Sequence, residues 1–130
     1  YDIVPPQDNL GATIVTLENL IANADIVTLH TPSDAGCIIN ASSIAKMKDE
    51  AIIINASRGN LVDENALYDA ITSKKLSGAG IDTPSEEPYA GKLKELENVV
   101  LTSHIGSYAK EARVLMEKQA VENLLNGLIK

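Results

Sequence analysis

Tryptophan and phenylalanine are absent from this chain, cysteine occurs once and histidine twice. A single thiol, Cys37, closes no disulfide within one chain and builds no paired-cysteine metal site, so a reducing compartment is the expected setting. The two histidines have no H-x-x-x-H spacing, and no metal is expected. Positive charge is also scarce: 11 Lys and Arg against 18 Asp and Glu leave a net charge of −7. That balance repels phosphate backbones and anionic lipid, and no basic cluster with interleaved aromatics overturns it, so nucleic acid is not an expected partner. No apolar run approaches the roughly 18 to 20 residues of a membrane span, and the N-terminus has no basic-then-apolar signal pattern. A cytoplasmic protein without a membrane partner is the expectation.

What is present reads as one globular domain: 130 residues, 45% hydrophobic and 22% charged. Tyr1 to Pro6 looks like a strand end running into a turn, so a preceding segment is expected. Short apolar runs then alternate with helical patterns. Ala12–Val15 is apolar, and Leu17–Ala22 has helical spacing. Asp25–His30 reads as a strand closed by the turn cluster at 31–34. A short helix near Ser42–Met47, a strand at Ala51–Asn55 and a helix capped by Asp63 follow. Strands are expected at Ser77–Asp82 and Asn98–Ser103. A final helix is expected from about Ser107 to Leu128, with Ala112, Leu115, Met116, Ala120 and Leu124 near i+3/i+4 spacing. Short strands separated by helices specify parallel β-α-β units, with strands buried on both faces and helices on both sides of the sheet.

In such sheets ligands bind beyond the carboxyl ends of the strands. The residues there are Asp2, His30-Thr31-Pro32, Ala56-Ser57-Arg58-Gly59, Asp82 with Glu86-Glu87-Pro88, and His104-Ile105-Gly106. Arg58 can hold a carboxylate through two parallel hydrogen bonds, a geometry lysine cannot reproduce. His104 can exchange a proton with an oxygen that alternates between carbonyl and hydroxyl. Glu87 can bond the far ring nitrogen and fix its tautomer. Each of these residues taken singly also reads as a surface or turn residue, and His30 reads as a structural histidine. Together they suit reduction of a carbonyl in a small anionic substrate.

The order and spacing of these segments, from Tyr1-Asp2 through Ala24–Pro32, Asn55–Glu64 and Gly78–Asp82 with Glu86-Glu87-Pro88 to Thr102–Gly106, resemble the NAD-binding domain of the D-isomer-specific 2-hydroxyacid dehydrogenases, most of all the phosphoglycerate dehydrogenase branch. The resemblance implies a Rossmann-like α/β fold and an NAD-dependent oxidoreductase acting on a 2-hydroxy or 2-oxo acid. It implies that Arg58 binds the substrate carboxylate, His104 is the acid/base and Glu87 its partner. It also implies that Asp2 accepts the ribose hydroxyls. Thr31, Ala56, Ser57 and Arg58 would line the cofactor, Asp82 would meet the nicotinamide amide, and His104, Ile105, Gly106 and Ser107 would sit beside the ring.

The departures are Ser103 where proline usually precedes the histidine, Thr83-Pro84-Ser85 before Glu86, and Tyr108 after the small residues. The family's Gly-x-Gly-x-x-Gly loop and its substrate domain find no counterpart in the chain. Residues 1–130 therefore read as the C-terminal portion of such a domain, lacking the first β-α-β segment and inactive alone. A non-catalytic binding or interaction module, or a purely structural folding unit, are the competing readings. Loss of the first strand would bare the edge of Asp25–Leu29, and self-association through that edge is expected.

Overall fold

The computed structural model describes residues 1–4, 8 and 10–128. Of the expected N-terminal turn, Pro5 and Pro6 lie outside the described residues. The elements in chain order are α1 (Leu17–Asn23), β1 (Ile26–Leu29), α2 (Ala41–Lys46), β2 (Ala51–Asn55), α3 (Glu64–Thr72), β3 (Leu76–Ile81), β4 (Val99–Leu101) and α4 (Lys110–Leu128). The four strands form one parallel sheet in the order β1-β2-β3-β4. The parallel β-α-β units expected from the alternation, and the Rossmann-like α/β class implied by the resemblance, are what the chain adopts. Ala12–Val15 is not a strand, because no neighbouring strand offers it a ladder among the described residues.

Local chemistry sets the helix starts. The Asn40 side chain accepts the Ser42 and Ser43 amides, while Ser43 Oγ accepts the Asn40 amide, which closes a capping box on α2. Asp63 Oδ1 accepts the Asn65 and Ala66 amides at the head of α3. From there Leu67, Ala70 and Ile71 turn inward and meet Ile53, Leu61, Leu76 and Leu93 in a single core. Burying each large aliphatic chain contributes about 1.5–3 kcal/mol.

The expectation of strands buried on both faces is corrected by the strand order. Right-handed crossovers between strands laid down in one direction place every connecting helix on the same side. Helices on both sides need a reversal of strand order, and these four strands contain none. The inner face, with Val27, Leu29, Ile53, Ala79 and Ile81, is buried. The outer face carries Ile26, Thr28, Ile54 and Val100, with Ile26 56% and Val100 67% exposed. The apolar positions of α4 are likewise outside the core: none of its residues is buried.

Gly78 lies on that outer face, where a methyl group would overlap the Asn98 carbonyl. Gly78→Ala is expected to cost about 1–3 kcal/mol through overpacking, read from the denaturant midpoint. Gly127→Ala, in α4 with open space around it, is expected to raise stability by up to about 1 kcal/mol.

Candidate active site

The end of β2 is shaped by Asn55, a buried amide. Its Oδ1 accepts the Ser57 amide at 3.1 Å and its Nδ2 donates to the Arg58 carbonyl at 2.9 Å. This turns the chain sharply at Ala56 and Ser57. Ser57 Oγ donates to the Thr31 carbonyl, which ties the loop to the end of β1. Arg58 is thereby held at the lip with an exposed side chain, one N–H of which donates to the Ser57 carbonyl at 2.7 Å. The remaining donors of its guanidinium have no partner among the described residues.

The Asn55 carbonyl also accepts the Asp82 amide at 2.9 Å, so β2 and β3 end in register. Both Asp82 oxygens face the segment after β4. Oδ1 accepts the Thr102 hydroxyl and the Ile105 amide, and Oδ2 accepts the Gly106 amide at 3.0 Å. The Asp82 carbonyl accepts the His104 amide at 2.8 Å. The hydrogen bond from Thr102 holds the Asp82 carboxyl below its ordinary pKa, against a smaller opposing effect of burial, and the Ile105 and Gly106 amides and the His104 charge act in the same direction as Thr102. The loop so fastened carries His104 at φ +55°, in the left-handed region.

His104 Nδ1 lies 3.0 Å from Glu87 Oε1. Both side chains are about half exposed, at 47% and 51%. Arg58 belongs to the same edge: Gly59, the next residue, packs so closely on the Pro84 carbonyl that no side chain fits, and Pro84 begins the turn that presents Glu87. A cleft of about 510 Å³ lies beside this cluster, lined by Glu87, Tyr89, Lys94, Thr102 and Ile105 among others. Neither Arg58 nor His104 lines it.

Of the site residues expected from the sequence, Thr31, Ala56, Ser57, Arg58, Asp82, Glu87, His104, Ile105, Gly106 and Ser107 come together along the carboxyl ends of the four strands. Asp2 is not tied into this network: its Oδ1 accepts the amide of Val4, two residues on. His30 bonds the Thr28 hydroxyl through Nε2 at 3.0 Å. Asn55 and Thr102 carry functions the sequence reading did not assign them. The signal for Asn55 was present, an Asn two residues before a Ser at a strand end; Thr102 had none.

The residues fit a nicotinamide cofactor in one checkable respect. A carboxylate offers about four acceptor sites, and Asp82 has filled two on Oδ1 and one on Oδ2. One site on Oδ2 remains for the N–H of a carboxamide. Ile105, 44% exposed, gives an apolar surface beside it. Among the described residues, no group of histidine, cysteine and carboxylate side chains is arranged to hold a metal ion, and no helix is long and apolar enough to cross a membrane.

A family model described as the D-isomer specific 2-hydroxyacid dehydrogenase NAD binding domain matches residues 1–106. A D-3-phosphoglycerate dehydrogenase from Synechocystis is 40% identical over 125 residues, covering 94% of this chain and 23% of that protein. A glyoxylate reductase structure from Paecilomyes thermophila superposes with a TM-score of 0.88 at 32% identity, covering 99% of this chain and 40% of that one. The D-lactate dehydrogenase from Aquifex aeolicus, complexed with NAD and lactic acid, gives 0.83 at 28% identity, over 98% and 45%. The chain thus spans less than half the length of each.

The Asp82 geometry sets an acid limit on the loop. Because the folded carboxyl titrates below its ordinary value of 3.8, its stabilising contribution is complete above that value and is lost as pH falls through the lower one. Amide exchange at Ile105 and Gly106, corrected for intrinsic rate, is expected to stay protected down to about pH 4 and to lose protection below it. Asp82→Asn sets an amide donor against the Gly106 N–H, and is expected to abolish protection of Gly106 at every pH.

Proposed function

The chain belongs to the D-isomer specific 2-hydroxyacid dehydrogenases as an NAD-binding domain, and from that premise we propose that its strand-end residues engage NAD and a small 2-hydroxy or 2-oxo acid. The observation that carries this reading is the His104 to Glu87 hydrogen bond at 3.0 Å, at the same sheet edge as the guanidinium of Arg58, which forms no ion pair among the described residues. Glu87 fixes the proton on Nδ1, which leaves Nε2 to exchange a proton with the substrate oxygen. In the reducing direction protonated Nε2 gives its proton to the carbonyl oxygen as that oxygen becomes a hydroxyl. In the oxidising direction it takes the proton back. NAD, when bound, accepts or supplies the hydride. Arg58 grips the substrate carboxylate in two parallel hydrogen bonds and so orients the adjacent carbon.

Thr31, Ala56, Ser57, Ile105, Gly106 and Ser107 line the cofactor, and the open site on Asp82 Oδ2 takes its carboxamide. Asp2 accepts the ribose hydroxyls, which favours the cofactor without a 2′-phosphate. The 23% to 45% of its relatives that the chain spans supports reading it as one portion of a larger dehydrogenase, with catalysis completed by parts outside these residues. Titration of NADH into the labelled chain, followed by NMR, is expected to shift the amides of Thr31, Ser57, Ile105 and Gly106 in a saturable way. Unmoved signals at those positions would sink the cofactor assignment. For a 2-oxo acid such as glyoxylate, Arg58→Lys is expected to weaken binding on the order of tenfold, or about 1.4 kcal/mol.

The reading extends to a second copy of the chain as partner. Among the described residues β1 pairs only with β2, so its other edge presents unpaired N–H and C=O groups, beside an outer face bearing Ile26 and Ile54. The mass in solution, by light scattering, is expected to be that of a dimer or larger. Ile26→Lys, which places a charge on that face, is expected to return it to monomer. A wild-type chain that stays monodisperse and monomeric at high concentration would contradict the self-association.

A further inference from the structure

Glu64 opens α3, where a carboxylate complements the positive end of the helix dipole. Asp63 already caps that helix, and Glu64 is turned to another task. Its Oε1 accepts the amide of Ser85, 21 residues ahead, at 2.6 Å, a short charge-assisted bond. Glu64 thus holds residue 85, the start of a short segment that runs to Tyr89 and has Glu87 at its midpoint. Tyr89 lies at the far end of that segment: burial raises its pKa, the Leu93 amide lowers it by less, and the Glu64 carboxylate adds a still smaller rise. Behind that segment the Gly59 backbone lies against the Pro84 carbonyl and the Ser85 Cα, so the segment is pinned from two directions. The Glu87 side chain, half exposed, has His104 as its one hydrogen-bond partner among the described residues. Its aim must come from the backbone that carries it.

We propose that Glu64 is a positioning residue that anchors the 85–89 segment and thereby aims Glu87 at His104 Nδ1. This rests on the reading of Glu87 and His104 as the acid–base pair. Glu64 touches neither substrate nor cofactor in that reading. A charged acceptor is not required for the anchor, since the amide carbonyl of glutamine can take the Ser85 N–H in the same place.

The test uses the whole chain, labelled for NMR. In the wild type the Ser85 amide is expected to exchange about tenfold more slowly than that of Glu86. In Glu64→Ala the Ser85 amide is expected to lose this protection, and the His104 ring nitrogen signals to move to the positions they take in Glu87→Ala. Glu64→Gln is expected to retain wild-type values in both. Helix content is expected to stay constant across the variants, since Asp63 still caps α3. A Ser85 amide that exchanges like Glu86 in the wild type overturns the proposal, as does a Gln variant that behaves as Ala. Should the Ala variant fail to fold, the wild-type exchange ratio and the Gln variant decide. If Glu87→Ala moves the ring signals and Glu64→Ala does not, the anchoring role alone falls. If Glu87→Ala leaves them unmoved, the acid–base pairing and the anchoring role fall together.

Discussion

Asp82 ends β3 with both carboxylate oxygens turned onto the segment that follows β4, and the candidate site hangs from that attachment. The segment must double back immediately after its strand, and it does so by placing His104 at φ +55°, a conformation that costs a side-chain-bearing residue about 1 kcal/mol or more. The bonds from Thr102, Ile105 and Gly106 to one carboxylate offset that cost. They also leave the imidazole few places to go. The attachment continues sideways: Asp82 hangs from the Asn55 carbonyl, Asn55 holds Ser57, and Ser57 holds Thr31. Four strand ends are thus joined by a line of hydrogen bonds running across the sheet, at right angles to the strands. Displacing any one of the four ends strains the others.

The order of the strands explains what this site does not contain. Because β1 to β4 are added in one direction, their crossovers share a face, and the helices that begin after each strand share it too. Two of those helices would offer N-terminal amides to a diphosphate. Both are already satisfied, α2 by Asn40 and α3 by Asp63. Their free N–H groups are spent on side chains of the same chain, and an anion arriving there would have to displace them. The edge is therefore equipped for a carboxylate, a proton and an amide.

Where the sequence reading held, local chemistry decided the outcome. Three consecutive isoleucines between a turn and an Asn gave β2, and Asp63 ahead of Leu67, Ala70 and Ile71 gave a capped helix. Where it failed, the deciding contact lay far along the chain. The stripe on α4 has a helical period, and a period says nothing of whether a partner surface exists. Ala12–Val15 is apolar enough for a strand, yet a strand needs a neighbour. Glu64 looked like a dipole residue because its partner, Ser85, is a turn residue 21 positions away. Asp82 was read as a cofactor contact, and its role as a fastening was not visible, since its partners at 102–106 are adjacent only after β3 and β4 pair. That Arg58, Glu87 and His104 share one edge of the sheet was legible by residue type and order. The contacts that hold that edge together were not.

Charge closes the argument for Arg58. The chain carries a net −7, and in the proposed reading a carboxylate ligand would approach it against that field. Three carboxylates beside the site are, however, engaged: Asp82 on two amides and a hydroxyl, Glu87 on the imidazole, Glu64 on an amide. Each spreads its charge over N–H or O–H dipoles that point at it. Arg58 forms no ion pair among the described residues, and its one bond is to a neutral carbonyl. Arg58 is therefore a cation without an ion pair among the described residues, set beside three carboxylates that are already occupied. An arginine set after a buried strand is held by its backbone while its charge stays free. That combination is what a carboxylate clamp requires, and a guanidinium paired to any of these acids would lose it.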